Sequence, residues 1–174
     1  MMSSTQLSWH ALKRFSLRPP SDLFSYIADE DLVEIYTLDN LQIFRSMSFF
    51  DLCSYSLEDL YCRPWYSLFY RDEGITQQIG AEAVRAFSGQ ETGVFVPNVA
   101  DHMLKELDSP FKHEVEIQYK VMAPLYNSSG KIAAGLVVEK AKVVNRPKES
   151  DKERLLEAYY QSQNVDFANK VATE

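Results

Sequence analysis

The sequence predicts an α+β fold: a five-stranded antiparallel sheet with helices on one face and helical extensions at both ends. Strand-forming patterns over 32–47 and 114–144 predict two hairpins, and a short apolar run over 94–96 predicts the fifth strand. A helical pattern over 73–88 separates the two hairpins. An antiparallel sheet with helices on one face satisfies this order of elements.

The first 18 residues predict a basic amphipathic helix. Its apolar and basic side chains are Leu7, Trp9, Leu12, Phe15, Leu17, Lys13, Arg14 and Arg18. Pro19 and Pro20 end this helix, and Ser21 is placed to cap a short helix after it. A basic amphipathic helix can contact a membrane surface, but we favour packing on the sheet or on a second copy of the chain.

The next two segments predict the first hairpin. Residues 32–38 are rich in strand formers, Asp39-Asn40 is a turn signal, and 41–47 read as the return strand.

Residues 48–65 predict two short helical turns around a tight corner. Phe49, Leu52 and Cys53 recur at helical spacing. Ser56 precedes Asp59 by three residues, which is the spacing of a capped helix start. Leu57 and Leu60 are then the expected buried residues, and Pro64 stops the turn.

A longer helix is predicted over 73–88, with Gly89 ending it. Its expected apolar face is formed by Ile75, Ile79, Ala83, Ala86 and Phe87, and its expected solvent face by Gln77, Gln78, Glu82 and Arg85. Residues 99–108 predict an inserted surface helix, with apolar side chains at Val99, Met103, Leu104 and Leu107.

The closing hairpin has the strongest strand signal. Apolar residues alternate with others from Val115 to Leu125, which predicts a strand with one face in the core. A turn over 127–130 follows, with Gly130 supplying a positive φ, and 131–144 form the paired strand. Residues 149–171 predict a charged helical tail.

Composition bounds the class of protein. The chain has 174 residues and a formal net charge of −7, with 45% hydrophobic residues. The hydrophobic fraction argues against a disordered chain, and the negative net charge and scattered basic residues argue against nucleic-acid binding. Two cysteines nine residues apart make neither a disulfide framework nor a zinc site, which favours a reduced, cytoplasmic setting. No stretch is apolar for the roughly 20 residues of a membrane span, and no secretory signal opens the chain.

Two segments resemble the PAS domain family. That family carries a Gly-Tyr-Ser corner, an acidic pair, a Leu and a Gly-Arg-Pro-Trp-like segment. The similar residues here are, in the same order, Ser54-Tyr55-Ser56, Glu58-Asp59, Leu60 and the run 62–65 (Cys-Arg-Pro-Trp). The hairpin over 122–135 is similar to the segment before the family's last strand. Ser48, Ser54 and Cys62 depart from the family pattern, and the 97–112 connection is longer than usual.

The resemblance implies a stand-alone sensory or docking domain in signal transduction, and not an enzyme. It divides the chain into an N-terminal helical extension (1–30), a PAS-like domain (31–146) and a C-terminal helical tail (147–174). It also implies a homodimer or a signalling partner protein, bound through the terminal helices, and a small apolar or aromatic ligand.

The resemblance leaves the cofactor unknown but argues against two types. Flavin-adduct members carry a reactive Cys after the corner, where Trp65 falls here, and Cys62 takes the place of a glycine. Haem-binding members take a His from the long helix, and residues 73–88 contain none. A metal site is also not expected, because no standard ligand spacing is met by Asp101, His102, Glu106, His113 and Glu114.

Aromatic side chains are the predicted ligand-binding residues. They are Tyr36, Phe49, Tyr55, Trp65, Phe69, Phe87 and Tyr119. The alternative is that these rings fill the core, and converging polar groups at Tyr36, Tyr55 and Tyr119 would distinguish a site from a core.

A second function class remains open. The cone-shaped α+β fold of ketosteroid isomerase and nuclear transport factor 2 also curls a sheet around a small-molecule site at this length. That class needs a buried carboxylate or a His–Asp pair, for which Asp101-His102 is the evident candidate. No catalytic residue is otherwise predicted.

Overall fold

The computed structural model describes residues 2–63 and 65–171, apart from the side chains of residues 61, 65, 66 and 165–171. Its helices are α1 (Ser4–Arg14), α2 (Leu57–Cys62), α3 (Trp65–Leu68), α4 (Glu73–Phe87) and α5 (Lys152–Val171). Short 3-10 helices cover Leu23–Tyr26, Met47–Asp51 and Glu149–Asp151. No helix in this part of the chain is both long and apolar enough to cross a membrane.

One antiparallel sheet organises the domain. Its strands are β1 (Leu32–Thr37), β2 (Gln42–Arg45), β3 (Phe69–Tyr70), β4 (His102–Glu106), β5 (Glu114–Tyr126) and β6 (Ile132–Asn145). They lie in the order β2-β1-β6-β5-β4-β3. The predicted α+β architecture with one antiparallel sheet is confirmed. It has six strands instead of five, because β3 and β4 were not predicted as strands and the predicted strand over 94–96 is not one of the six.

Both predicted hairpins are confirmed. β1 and β2 pair around Asn40, which adopts a positive φ. β5 and β6 pair along most of their length, and the backbone N–H of Asn127 donates to the Lys131 carbonyl. Gly130 has a φ of 78° in this turn, as its position predicts.

The predicted helix over 99–108 is wrong. This segment contains β4, whose buried side chains alternate at His102, Leu104 and Glu106. Two of the three inward positions are polar, so hydrophobicity alone hides the period of two. The run over 94–96, predicted as a strand, makes only an isolated bridge between Phe95 and Met122.

A β-bulge in β5 divides the strand between two cores. Tyr119 pairs with Glu139 and Val121 with Val138, which leaves Lys120 as an extra residue. Consequently Val115 and Ile117 belong to one apolar cluster, whereas Val121 belongs to the other. The prediction that one face of β5 stays in one core throughout is therefore wrong.

The outer face of the sheet packs against α1. Ala11 and Leu12 join an apolar cluster with Ile35, Leu136 and Val138. This confirms that the N-terminal helix packs on the sheet. The predicted helices on one face are confirmed on the opposite side of the sheet, where Leu68 of α3 joins the other apolar cluster and Phe87 of α4 lies against Gly135.

The inner face of the sheet is covered by the segment between β2 and α4. Its apolar cluster includes Phe49, Phe69 and Leu104. The predicted cap of α2 is confirmed: Ser56 Oγ accepts from the Asp59 backbone N–H, and the Asp59 carboxylate accepts from the Ser56 backbone N–H. Leu57, predicted as buried, is 56% exposed.

Helix α4 begins and ends close to its predicted bounds. Asp72 caps it by accepting from the backbone N–H groups of Gly74 and Ile75. Glu82, predicted on the solvent face, is buried and accepts a 2.6 Å hydrogen bond from Arg85. The i, i+3 ion pair allows this carboxylate to leave water.

Candidate functional site

The inner face of the sheet carries a buried polar cluster. Glu34 and Glu139 are 6% and 3% exposed. β1 pairs with β6 so that Leu32 faces Glu139 and Glu34 faces Val137, which makes the two glutamates diagonal neighbours on one face. We define the inner polar cluster by these two carboxyls and the groups that interact with them, namely Tyr36, Arg45, Arg71 and Tyr119.

Glu34 is held by short hydrogen bonds from side chains of β1 and β2. Arg45 Nε donates to its Oε1 at 2.6 Å, and Tyr36 Oη donates to its Oε2 at 2.6 Å. Gln42 Nε2 donates in turn to Tyr36 Oη at 2.7 Å. Burial, and then the charge of Glu34, raise the pKa of Tyr36 well above its usual value, so this phenol stays a donor.

Glu139 has a different environment. Burial raises the pKa of Glu139 to about 8, and the nearby Glu34 charge adds to the shift. Arg71, a hydrogen bond with Tyr119 and Arg45 act in the opposite direction but do not cancel it. A carboxyl with this pKa is mostly protonated at neutral pH, whereas the carboxyl of Glu34 forms an ion pair with Arg45.

Tyr119 lies directly opposite Glu139 across the β5–β6 pair. Its pKa is raised well above the usual value by burial and then by the Glu139 charge. The hydroxyl therefore remains protonated and able to donate to the carboxyl. This side chain is the point where the cluster reaches β5.

His102 on β4 extends the polar stripe one strand further. Its ring lies 5.9 Å from that of Tyr119, measured between centroids. Nδ1 is 3.0 Å from the Ala100 carbonyl oxygen, and Nε2 is buried with no hydrogen-bond partner among the described residues. Burial lowers the pKa of His102, so the imidazole is neutral at pH 7.

The Asp101-His102 pair does not form a catalytic dyad. His102 Nδ1 is engaged by the Ala100 carbonyl, while the exposed Asp101 accepts from Gln118 at 3.3 Å. The prediction that both residues lie on a surface helix is wrong, since His102 is 8% exposed on a strand.

Three of the predicted ligand-binding rings pack against one another. The ring centroid of Phe69 lies 5.7 Å from that of Phe49 and 5.2 Å from that of Tyr55, both edge to face. Tyr55 Oη donates to the Leu68 carbonyl. All three side chains are buried in the inner apolar cluster, an arrangement typical of a core.

Three of the four remaining predicted rings, Tyr36, Tyr119 and Phe87, lie in the polar cluster or beside it. Tyr36 and Tyr119 belong to it, as described above. Phe87 at the end of α4 lies against Gly135, where a Cβ atom would meet the ring at 2.5 Å. The side chain of Trp65 lies outside the described residues.

Two shallow clefts lie elsewhere, beside α1. One is lined by Thr5, Gln6, Trp9, His10 and Phe24, and the other by Trp9, Leu12, Lys13, Leu17, Pro19 and Phe24. Among the predicted ligand-binding residues whose side chains the structure describes, none lines either cleft.

Glu106 at the end of β4 holds the corner to the β4–β5 loop. It accepts from Ser54 N at 2.5 Å, Ser54 Oγ at 2.6 Å, Ser109 Oγ at 2.6 Å and His113 N at 2.9 Å. Ser54 stands where the resembling family has a glycine, and its hydroxyl makes one of these bonds. Within the described residues, no three His, Cys, Asp or Glu side chains group as a metal site.

Asp108 in the same loop is the attachment point of α5. Arg63 Nη2 donates to its Oδ2 at 2.9 Å, and Gln163 Nε2 donates to its Oδ1 at 3.1 Å. Tyr159 Oη reaches its carbonyl oxygen at 3.5 Å. We call these four residues the Asp108 junction, which connects the corner, the β4–β5 loop and the C-terminal helix.

Sequence reasoning missed Glu34, Glu139 and both arginines of the cluster. The available signal was a charged residue inside an apolar strand run: Glu34 lies between Val33 and Ile35, and Glu139 follows Val137-Val138. An acidic residue at such a position is buried only with partners or with a changed protonation state.

No family model matches the sequence, and no curated protein is similar to it at a significant level. Among solved structures, the chain is similar to the PAS domain of a protein from Colwellia psychrerythraea, at 19% identity and a TM-score of 0.47, over 77% of this chain and 98% of that domain. It is also similar to the light–oxygen–voltage (LOV) domain of the blue-light photoreceptor Aureochrome1, at 17% identity and a TM-score of 0.46, over 86% of this chain and 96% of that one.

A further similar structure is a domain of a light- and redox-sensing histidine kinase from Haloarcula marismortui, at 13% identity and a TM-score of 0.39. That alignment covers 71% of this chain and 96% of the other. Likenesses at these identities and TM-scores identify no ligand, activity or partner for this chain.

Proposed function

We propose that this chain is a PAS-like sensory domain that receives its signal at the inner polar cluster and delivers it through α5. The observation that carries the proposal is the burial of two carboxyls on neighbouring strands of the inner face, beside Tyr36 and Tyr119. The proposal includes a role in regulation and no catalysis of its own.

Energetics support a receiving site on this face. Burying a polar or charged group costs free energy unless partners compensate, and apolar side chains of similar volume often stabilise a fold as well or better. On the outer face of the same sheet, the buried residues of β1, β5 and β6 are all aliphatic. These strands therefore pair without buried polar side chains on that face, and the polar residues of the inner face are not needed to form the sheet. A cluster in which charge is finely balanced responds strongly to a bound ligand or to a change in charge.

A continuous set of contacts leads from this face to α5. Tyr119 of the cluster neighbours His102 on β4, and β4 ends at Glu106, which holds Ser109 and the His113 backbone. Asp108 lies inside that loop and holds α5 through Gln163. Displacement of β4 or its loop therefore changes the position or the order of α5, which is the output element we propose.

Hydrogen exchange measured by mass spectrometry tests this connection. We expect Glu139→Gln to change the exchange rate of amides over 152–163 severalfold, because the substitution alters the hydrogen bonding of the cluster. Glu116→Gln is the matched control, since Glu116 lies on the neighbouring strand but is exposed. Unchanged exchange over 152–163 in the folded Glu139→Gln protein would contradict the proposed function.

Native mass spectrometry of the freshly purified chain tests for a tightly held small ligand. An additional mass that is lost on denaturation, and absent from a Tyr36→Phe, Tyr119→Phe double variant, would assign the ligand to the cluster. The same spectra report whether two copies associate. We propose a second copy or a signalling protein as the partner that reads α5, whose Leu156 and Tyr160 are exposed.

A further inference from the structure

Glu34 and Glu139 have different partners within the inner polar cluster. Glu34 already has an ion pair with Arg45, at 2.6 Å between Nε and Oε1, and a hydrogen bond from Tyr36. Both of its oxygens are occupied in this way. Glu139 is the second carboxyl on the same face, placed diagonally from the first, and it is 3% exposed.

We infer that the signal received at the inner polar cluster is a proton, which Glu139 binds and releases beside the ion-paired Glu34. This inference rests on the proposed function, because it names the ligand of the same site. It does not require an open cavity, since a proton reaches a buried carboxyl without displacing side chains.

The groups that face Glu139 from each packed element are consistent with reversible protonation. β1 contributes Glu34 and Tyr36, β2 contributes Arg45, β5 contributes Tyr119, and the segment before α4 contributes Arg71. His102 on β4 lies beyond Tyr119 and is neutral at pH 7. On α4, the charged side chain Glu82 pairs with Arg85, and the residue nearest the sheet at Gly135 is the apolar Phe87.

Release of the proton changes the cluster in a definite direction. With Glu139 protonated, one carboxylate lies among two arginines; with Glu139 ionised, two carboxylates lie on diagonal positions of neighbouring strands. Like charges at this spacing repel in a buried site, so the Tyr119 and Arg71 contacts must rearrange to hold the second charge. Because Tyr119 borders β4, this rearrangement affects the strand that leads to the Asp108 junction.

The experiment is a pH titration of the full chain labelled with carbon-13 at the glutamate carboxyls, followed by NMR. We expect one carboxyl resonance with a midpoint near pH 8, present in Glu116→Gln and absent from Glu139→Gln. If every glutamate titrates below about pH 6, as ordinary carboxyls do, the proton inference is overturned.

Infrared difference spectra of the wild-type protein between pH 6 and pH 9.5 give the same information without a variant, in case Glu139→Gln does not fold. Loss of a protonated carboxyl band at the higher pH supports the inference, and a spectrum without such a band overturns it.

Hydrogen exchange over 152–163 separates this inference from the proposed function. We expect the exchange rate in wild type, corrected for intrinsic pH dependence, to change severalfold between pH 7 and pH 9, and in Glu139→Gln to stay constant. If the rate responds to Glu139→Gln but not to pH, the proton inference fails while the proposed function stands. If it responds to neither, both fail.

Discussion

The two faces of the sheet are built from alternate residues of the same strands, yet they have different chemistry. On β1, Val33 and Ile35 point to the outer face and pack with α1, whereas Glu34 and Tyr36 point to the inner face. On β6, Leu136 and Val138 alternate with Val137 and Glu139 in the same way. The comparison teaches that the outer face is aliphatic where these strands meet α1, whereas the inner face combines an apolar cluster with buried carboxyls, so the two faces can be changed separately.

The largest effect is expected on the outer face. Leu136→Ala should lower the free energy of unfolding by about 2–5 kcal/mol, because Leu136 is fully packed between strands and α1 and its loss leaves a cavity. Val144→Ala on the same strand, where the side chain is exposed, should stay within about 0.5 kcal/mol. Urea denaturation of both variants checks this, and equal losses would contradict the close packing of Leu136 in the outer cluster.

The next effect is steric and lies on the inner face. Gly135→Ala should cost about 1–3 kcal/mol, because the new Cβ atom would lie 2.5 Å from Phe87 Cε1. Combining it with Phe87→Leu should recover part of the loss. Gly80→Ala in α4, with nothing within 4 Å of the added atom, should instead stabilise the domain by about 0.5–1 kcal/mol. The same denaturation assay applies, and a neutral Gly135→Ala would show that α4 is loosely packed.

A smaller effect on the free energy of unfolding is expected from pH, and it comes from Glu139 on the inner face. The folded chain holds the Glu139 proton up to about pH 8, whereas the ordinary value is 4.5. The folded state therefore binds more protons between these values, and the free energy of unfolding should fall by about 1 kcal/mol per pH unit as pH rises through that window, then level off.

Glu139→Gln should remove this contribution, and Glu116→Gln should retain it. Urea denaturation at pH 6, 7 and 8 measures the slopes. Identical slopes in wild type and Glu139→Gln would mean that Glu139 is ionised in the folded state.

The smallest effect is expected at an exposed helix end that belongs to neither cluster. Ser56→Ala should lower stability by about 1 kcal/mol, because the reciprocal bonds between Ser56 and Asp59 cap α2. Ser56→Asp should keep most of the stability, since aspartate is also a good N-cap residue. A loss as large in Ser56→Asp as in Ser56→Ala would show that the hydroxyl has a role other than capping.

Patterns of hydrophobicity predicted the elements whose apolar residues recur with a regular period. The hairpins, α1 and α4 follow this rule, although α1 also buries Ser4 and Ser8 and α4 also buries Glu82. β4 does not, because His102 and Glu106 occupy inward positions that an apolar residue usually fills. The helical spacing of Val99, Met103 and Leu107 then gave the wrong element.

The polar cluster was only half predictable for the same reason. Tyr36 and Tyr119 were predicted as polar groups of the site because tyrosine counts as both aromatic and hydrogen bonding. Glu34 and Glu139 were not predicted as members of the site, since the partners that allow their burial come from β2 and from the loop before α4. Those contacts depend on strand pairing, which a single sequence does not reveal.

Lys120 shifts the alternation of inner and outer side chains along β5 by one residue. It is the extra residue between Tyr119 and Val121, and its ammonium group forms an ion pair with the fully buried Asp31. Because Tyr119 and Val121 already pair with the consecutive residues Glu139 and Val138, deletion of Lys120 would restore regular alternation and leave every later side chain of β5 on its present face. The pairing of the strand would survive this deletion, but the ion pair with Asp31 would not. At this point the charge of the residue is therefore under tighter constraint than the length of the chain.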